Sequence, residues 1–149
     1  MKKDALLSIS STQHFEGSEE EHIDLMTQAR LYERHGKYYI TYDESELTGL
    51  EGTKTTVKLD GNTVSLVRTG TCPSELLFAE GQRHVGLYQT EYGALTISTH
   101  TKQLQNSIDE NGGELTIDYT IEVDNSMVGH HRFRMTVAAT SDDLDQHGN

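Results

Sequence analysis

The chain has 149 residues, the usual size of a single domain, and its net charge of −12 arises from 24 acidic and 12 basic residues. Because this excess of negative charge repels phosphate backbones and anionic lipid head groups, we expect neither a nucleic-acid partner nor a membrane-surface role. No apolar run reaches the length of a membrane span, and a single cysteine, Cys72, without a secretory pattern near the N-terminus indicates a cytoplasmic protein.

The first segment with a clear signal covers residues 19–30, whose composition favours a helix. Its apolar residues nevertheless fall on odd positions, as do those on one face of a strand: Ile23, Leu25, Ala29 and Leu31. We therefore interpret it as a strand that continues to a turn at Gly36.

Residues 38–70 alternate with a period of two, which is typical of half-buried strands. The inner faces are predicted to carry three sets of residues: Tyr38, Ile40 and Tyr42; Thr55, Val57 and Leu59; and Val64 and Leu66. An Asp-Gly-Asn sequence at residues 60–62 separates the last two sets at hairpin spacing. These strands should therefore pair antiparallel.

The second half of the chain continues the alternation. In residues 83–90, Val85 and Leu87 supply the apolar face, and Gly86 indicates a bulge, a point of curvature or the close approach of another segment. Residues 101–110 place Leu104 and Ile108 four apart, so a helical turn is also compatible with that stretch. Three further inner faces are predicted: Leu95, Ile97 and Thr99; Leu115, Ile117, Tyr119, Ile121 and Val123; and Phe133, Met135, Val137 and Ala139.

The pattern as a whole predicts an all-β protein with eight to ten strands. A meander of short antiparallel strands that curls closed removes long sheet edges, so a single up-and-down β-barrel is favoured over a sandwich. A barrel of about eight strands either fills its interior with side chains or holds one small ligand. We assign residues 1–140 to the barrel and expect the acidic, aperiodic tail of residues 141–149 to be disordered.

Two charged residues extend predicted inner faces. Arg68 continues the face of Val64 and Leu66, and Glu44 continues the face of Tyr38 and Tyr42. A buried arginine requires a carboxylate, several carbonyls or an anionic ligand. Two interpretations therefore stay open: Arg68 binds an anion inside the barrel, or it lies near the mouth and pairs with an internal acid such as Glu44.

Metal and catalytic motifs are not recognisable. His130 and His131 are adjacent, and adjacent strand residues point to opposite faces, so they cannot easily chelate one ion. We predict no metal, no cofactor and no catalytic residue. An enzyme would need Glu44, His84 or Tyr88 to converge as acid and base, and the sequence makes this the weakest hypothesis.

One family resemblance emerges from the order and spacing of particular residues. They are Tyr42 and Glu44; Thr53, Lys54, Thr55, Val57 and Lys58; Arg68, Thr69 and Gly70; Phe78, Gly81 and Tyr88; and Gly93, Ala94, Leu95, Thr99, Thr101 and Lys102. In these the chain resembles the YwiB-like family of small bacterial proteins, a domain of unknown function assigned to the calycin, or lipocalin-like, β-barrels. The resemblance implies a barrel in a bacterial cytoplasm and implies no activity.

Two hypotheses about function follow. The first is a barrel that binds a small anionic or amphipathic molecule, with Arg68, Lys54 and Glu44 near its polar group and Tyr42, Phe78 and Tyr88 lining the wall. The alternative is a protein-interaction or self-assembly module, for example a homodimer, with a filled barrel and no ligand.

Overall fold

A computed structural model gives the structure of residues 2–47, 50–71, 73–90, 92–124 and 127–142, without the side chains of residues 88–90, 127–128 and 141–142. Cys72 and residues 143–149 of the expected tail lie outside these described residues. No helix long and apolar enough to cross a bilayer occurs within them.

The described residues form ten strands joined by short connections. They are β1 (Lys2–Phe15), β2 (Glu21–Arg34), β3 (Lys37–Asp43), β4 (Thr53–Asp60), β5 (Thr63–Gly70), β6 (Ser74–Ala79), β7 (Arg83–Thr90), β8 (Gly93–Asn106), β9 (Gly112–Val123) and β10 (Met127–Asp142). β10 continues two residues past the boundary expected for the barrel.

The strands make one antiparallel sheet in the order β6-β5-β4-β3-β2-β1-β10-β9-β8-β7. Each strand therefore pairs with its sequence neighbours, except that β6 and β7 share no ladder in the described residues, and the first strand pairs with the last from Lys3 opposite Asp142 to Phe15 opposite Gly129. β6 and β7 are the two edges of this sheet among the described residues. The prediction of an all-β, up-and-down, nearly closed barrel is confirmed.

In the described residues β6 and β7 share no strand ladder, and β6 and the turn that follows it are instead joined to β8 by a few hydrogen bonds. At one end, the N–H of Gly81 donates to the carbonyl of Thr101 (2.8 Å), and the N–H of Thr101 donates to the carbonyl of Gln82 (3.0 Å). Farther along, the Thr99 hydroxyl donates to the carbonyl of Leu77 (3.2 Å). These bonds bring β6 against β8 and leave β7 as an edge strand.

The two segments with helical features are both strands. Residues 19–30 lie mostly in β2, as interpreted, and residues 101–106 belong to β8. The ladder between β8 and β9 shifts register between Thr101 and Gln103. Because a bulge of this kind reverses the inward phase, Thr101 and Leu104 both face the interior although one is odd and the other even.

The apolar face of β7 does not pack into the core. Val85 is 67% exposed and Leu87 is 64% exposed, so the apolar positions of this strand point outward. Gly86 lies on the opposite face, where an added Cβ would be 3.3 Å from the carbonyl oxygen of Glu75. Gly86 therefore permits the close approach of β6, one of the alternatives that the sequence left open.

One half of the interior is closely filled. It lies at the end of the barrel where β1 begins and β10 ends. Its aliphatic side chains are completely buried: Leu7, Leu31, Ile40, Val57, Val64, Leu115 and Met135. Ile108, in the connection between β8 and β9 at this end, belongs to the same buried cluster. We call this region the filled half and the opposite region the open half.

Candidate functional site

A cavity of about 310 Å³ occupies the open half of the barrel. Its walls are mainly apolar and come from strands around the whole barrel, including Leu25, Leu66, Leu76, Phe78, Ile97 and Ile117. This volume is at the lower end of the range for small-molecule pockets and would hold about ten waters at the volume each has in the liquid. The interior is thus neither wholly filled nor wholly hollow.

The charged group in this cavity is an arginine–glutamate pair. Arg68 Nε lies 3.7 Å from Glu44 Oε2, and the two side chains are 22% and 3% exposed. The Thr55 hydroxyl donates a 2.5 Å hydrogen bond to the same carboxylate oxygen. The backbone N–H of Glu44 donates to the carbonyl of Thr53 (2.9 Å), so the end of β3 and the start of β4 fix the position of Glu44.

Three buried polar atoms that face this cavity have no hydrogen-bond partner in the described part of the chain. They are Arg68 Nε, Ser74 Oγ and His131 Nε2. Arg68 and Ser74 are opposite each other in the ladder between β5 and β6, so two of the three atoms belong to neighbouring residues. A buried polar group without a partner costs about 1 to 3 kcal/mol, and proteins rarely keep one without a bound molecule or a functional reason.

An aromatic row follows the wall of the cavity from β6 to β1. The ring centroids of Phe78 and Tyr119 are 4.6 Å apart, those of Tyr119 and His131 are 5.0 Å apart in a stacked arrangement, and those of His131 and Phe15 are 5.5 Å apart, edge to face. Offset-stacked and edge-to-face geometries are the favourable ones for aromatic pairs. The row forms a continuous aromatic side of the cavity, in which neighbouring rings contact one another.

Burial shifts the pKa values of three side chains in the wall, Tyr42, Tyr119 and His131, in the direction that favours the neutral form. It raises the pKa of Tyr119 to about 12, against the opposing effect of the positive charge on Arg68. It also raises the pKa of Tyr42, and the carboxylate of Glu44 adds to that rise. Burial lowers the pKa of His131 to about 4, with a further contribution from His130. The ion pair that lines the cavity is that of Arg68 and Glu44.

Four of the residues predicted from the sequence come together in this cavity: Arg68, Glu44, Tyr42 and Phe78. Lys54 does not join them, because it is exposed on the outer face of β4, between the buried Thr53 and Thr55. Its predicted place beside the polar group of a ligand is wrong. Tyr88 is in β7, but its side chain lies outside the described residues.

Of the three residues in the enzymatic hypothesis, Glu44 and His84 do not come together, and the side chain of Tyr88 lies outside the described residues. Glu44 lines the interior cavity, whereas His84 lines a separate groove along the seam between β6 and β7. In the described residues, no three His, Cys, Asp or Glu side chains are grouped closely enough to hold a metal ion. His130 is exposed, and its Nε2–H donates to Asp118 Oδ1 (2.6 Å), while His131 faces the interior.

Sequence reasoning missed three polar or aromatic members of the site: Ser74, Tyr119 and His131. Two had a detectable signal, because Tyr119 is on the inner face of the most regular alternating run and His131 extends the face of Phe133 and Met135. Ser74 had none, since its position opposite Arg68 depends on the register between β5 and β6.

The fold and the cavity define a small antiparallel β-barrel protein with a partly open, mainly apolar interior. The chain belongs to the family described as "Domain of unknown function (DUF1934)", whose model matches residues 7–135. The resemblance to the YwiB-like family is thereby confirmed.

Two comparisons agree with this assignment. The chain is 28% identical over 130 residues to the "Uncharacterized beta-barrel protein YwiB" of Bacillus subtilis (strain 168), which covers 87% of this chain and 89% of that protein. It superposes on the crystal structure of the ywiB protein from Bacillus subtilis with a TM-score of 0.82 at 24% identity, over 94% of each chain. This superposition shows that the two proteins share the fold.

Proposed function

We propose that this protein binds a small amphipathic molecule inside the open half of the barrel. The polar group of the ligand would accept hydrogen bonds from Arg68 Nε and the Ser74 hydroxyl, and its apolar part would lie along the walls formed by Leu25, Leu66 and Phe78. The observation that carries the proposal is a set of three buried polar atoms around one mainly apolar cavity that have no hydrogen-bond partner among the described residues.

The energetics of the cavity favour such an occupant over an empty space. An apolar chain gains about 0.8 kcal/mol for each CH₂ that leaves water. A polar head that satisfies Arg68 and Ser74 removes the cost of two buried donors. A cluster of waters could satisfy the donors, but it would leave most of the wall hydrated.

The experiment is a thermal-shift and calorimetric titration with two probes, octanamide and octanoate. At a hundred times its dissociation constant, a ligand stabilises the native state by about 2.7 kcal/mol. We expect at least one probe to raise the Tm of the wild type, and the Arg68→Met and Ser74→Ala variants to lose most of that rise. Ser74→Ala is included because Arg68→Met leaves Glu44 buried without its cation.

Lys54→Met is the matched control. It removes the same charge from the adjacent strand, but from the outer face. We expect it to keep the wild-type response. The proposal is contradicted if neither probe shifts the wild type, or if Lys54→Met and Ser74→Ala reduce the response equally.

A second candidate function is self-association through β7. Within the described residues β7 has no ladder partner on its seam side, and Val85 and Leu87 are exposed on its outer face. An exposed, apolar edge strand is a template for pairing with another chain. We expect a dimer by light scattering that Val85→Lys together with Leu87→Lys dissociates; a wild type that stays monomeric at millimolar concentration would exclude this candidate.

A further inference from the structure

The charge of the ligand follows from the way Glu44 is held. Its side chain is 3% exposed, the Thr55 hydroxyl donates to it, and its backbone is fixed to Thr53. A carboxylate anchored in this way cannot move out to solvent when another anion enters. Arg68 therefore already has a permanent counter-ion 3.7 Å away.

The two charges cancel within the cavity. In the part of the chain that the structure describes, Arg68 and Glu44 are the ionised side chains that line it, and His131 is neutral at pH 7. A ligand carboxylate would place two negative charges beside one guanidinium, and an ammonium would place two positive charges beside one carboxylate. Either arrangement leaves an uncompensated charge in a desolvated site, which is costly.

Although the charges of Arg68 and Glu44 balance each other, the cavity still offers hydrogen-bond donors to a ligand. Arg68 Nε–H can only donate, and the neighbouring Ser74 hydroxyl can also donate. Both atoms are buried and have no hydrogen-bond partner among the described residues, since Glu44 Oε2 at 3.7 Å from Arg68 Nε is an ion-pair contact beyond hydrogen-bond distance. An uncharged acceptor satisfies them without disturbing the charge balance.

We propose, as a refinement that rests on the ligand-binding function above, that the head group bound at Arg68 and Ser74 is an uncharged carbonyl, such as that of an amide, an ester or an aldehyde. Glu44 is the residue that sets this selectivity. It acts by neutralising Arg68, so that the site discriminates against fatty-acid-like carboxylates of the same length.

The test compares the dissociation constants of octanamide and octanoate, measured by calorimetry at pH 7.5. We expect the wild type to bind octanamide at least tenfold more tightly than octanoate. Glu44→Gln keeps an oxygen that can accept from Thr55 but removes the counter-ion of Arg68. It should therefore reverse the preference toward octanoate.

Asp43→Asn is the matched control, because it removes one negative charge at the adjacent residue, which is exposed. We expect it to leave the ratio of the two constants within a factor of two of wild type. Equal binding of both probes by the wild type, or equal changes in Glu44→Gln and Asp43→Asn, would overturn the neutral-carbonyl proposal and leave ligand binding standing. Failure of both probes to bind the wild type would overturn both proposals.

Discussion

The two halves of the barrel interior are lined by inward-facing residues of largely the same strands, but one half is packed and the other encloses a cavity. In the filled half, aliphatic residues from β1 to β5 and from β9 and β10 are fully buried against one another. In the open half, the same strands contribute Arg68, Glu44, Tyr119 and His131 around a cavity of about 310 Å³. Along the axis of the barrel, one half therefore supplies most of the packed core and the other half contains the candidate site.

This division explains how the protein can keep buried polar atoms without hydrogen-bond partners. Each such group costs about 1 to 3 kcal/mol, a large part of the 5 to 15 kcal/mol by which a typical domain is stable. The close packing of the filled half supplies the compensating free energy. The contrast also resolves the choice between a hollow and a filled barrel, because the two descriptions apply to different halves.

The largest expected effect comes from the same substitution made in each half of one strand. Leu31 and Leu25 both face inward from β2, but Leu31 is fully buried whereas Leu25 borders the cavity. We expect Leu31→Ala to reduce the free energy of unfolding by about 2 to 5 kcal/mol, the range for a filled core. Leu25→Ala should cost about 1 kcal/mol, since fewer packed atoms lose contacts.

Urea denaturation at pH 7.5 measures both values, and unchanged m-values would show that the comparison is of native-state stability. The wild type and Met26→Ala, an exposed neighbour of Leu25, serve as references. Equal losses in the two variants would mean that the open half is packed as closely as the filled half, and the contrast between them would fail.

The alternation of residues was sufficient to predict most of the barrel but not all of it. β1 and β6 were not among the strands identified, for two physical reasons. The inner face of β1 ends in the polar Ser11 and Gln13, which blurs its pattern. The run from Leu76 to Ala79 in β6 is apolar at every position, so it carries no period of two.

β7 shows why a correct period does not by itself give the buried face. Val85 and Leu87 form the apolar face of this strand and are exposed, whereas Gly86 on the other face lies against β6 at the seam. The position of a strand at the edge of a sheet depends on where the barrel closes. That is a property of the whole topology and is not visible in eight residues.

The candidate site was predictable to the extent that it depends on the face of a strand. Arg68 and Glu44 were identified because they continue apolar faces. The same rule would have excluded Lys54 from the predicted site. Thr55 and Val57 face inward, so an even-numbered neighbour in this strand must face outward. The pairing of Arg68 with Ser74 depends on register across a hairpin, which the pattern alone does not specify.

The smaller expected effect is a pH dependence that belongs to the open half. Burial lowers the pKa of His131 to about 4, below the value of about 6.5 in an unfolded chain. The folded state therefore prefers the neutral imidazole. This contribution to stability is complete above pH 6.5 and is lost as the pH falls from 6.5 toward 4, because the unfolded chain binds the proton first.

We expect this loss to be on the order of 1 to 2 kcal/mol between pH 7 and pH 4.5, since partial exposure of His131 reduces the effect through solvent screening. His131→Phe keeps an aromatic ring beside Tyr119 and Phe15 and should remove this part of the pH dependence. His14→Gln, at an exposed position on β1, should retain it. If the unfolding free energy of His131→Phe falls with pH as steeply as that of the wild type, His131 is not the group responsible.

Amide hydrogen exchange can locate the same effect in the barrel. Protonation of His131 places a positive charge in a partly buried position beside the cavity, which is unfavourable, while the aliphatic cluster around Leu7 and Leu31 is made of side chains that do not titrate. Lowering the pH from 7 to 4.5 should therefore reduce protection, after correction for intrinsic exchange rates, near Phe15 and His131 first. Protection around Leu7 and Leu31 should remain until global unfolding. Simultaneous loss in both regions would show that the halves unfold as one unit, so that the open half could not rearrange for a ligand without the rest of the barrel.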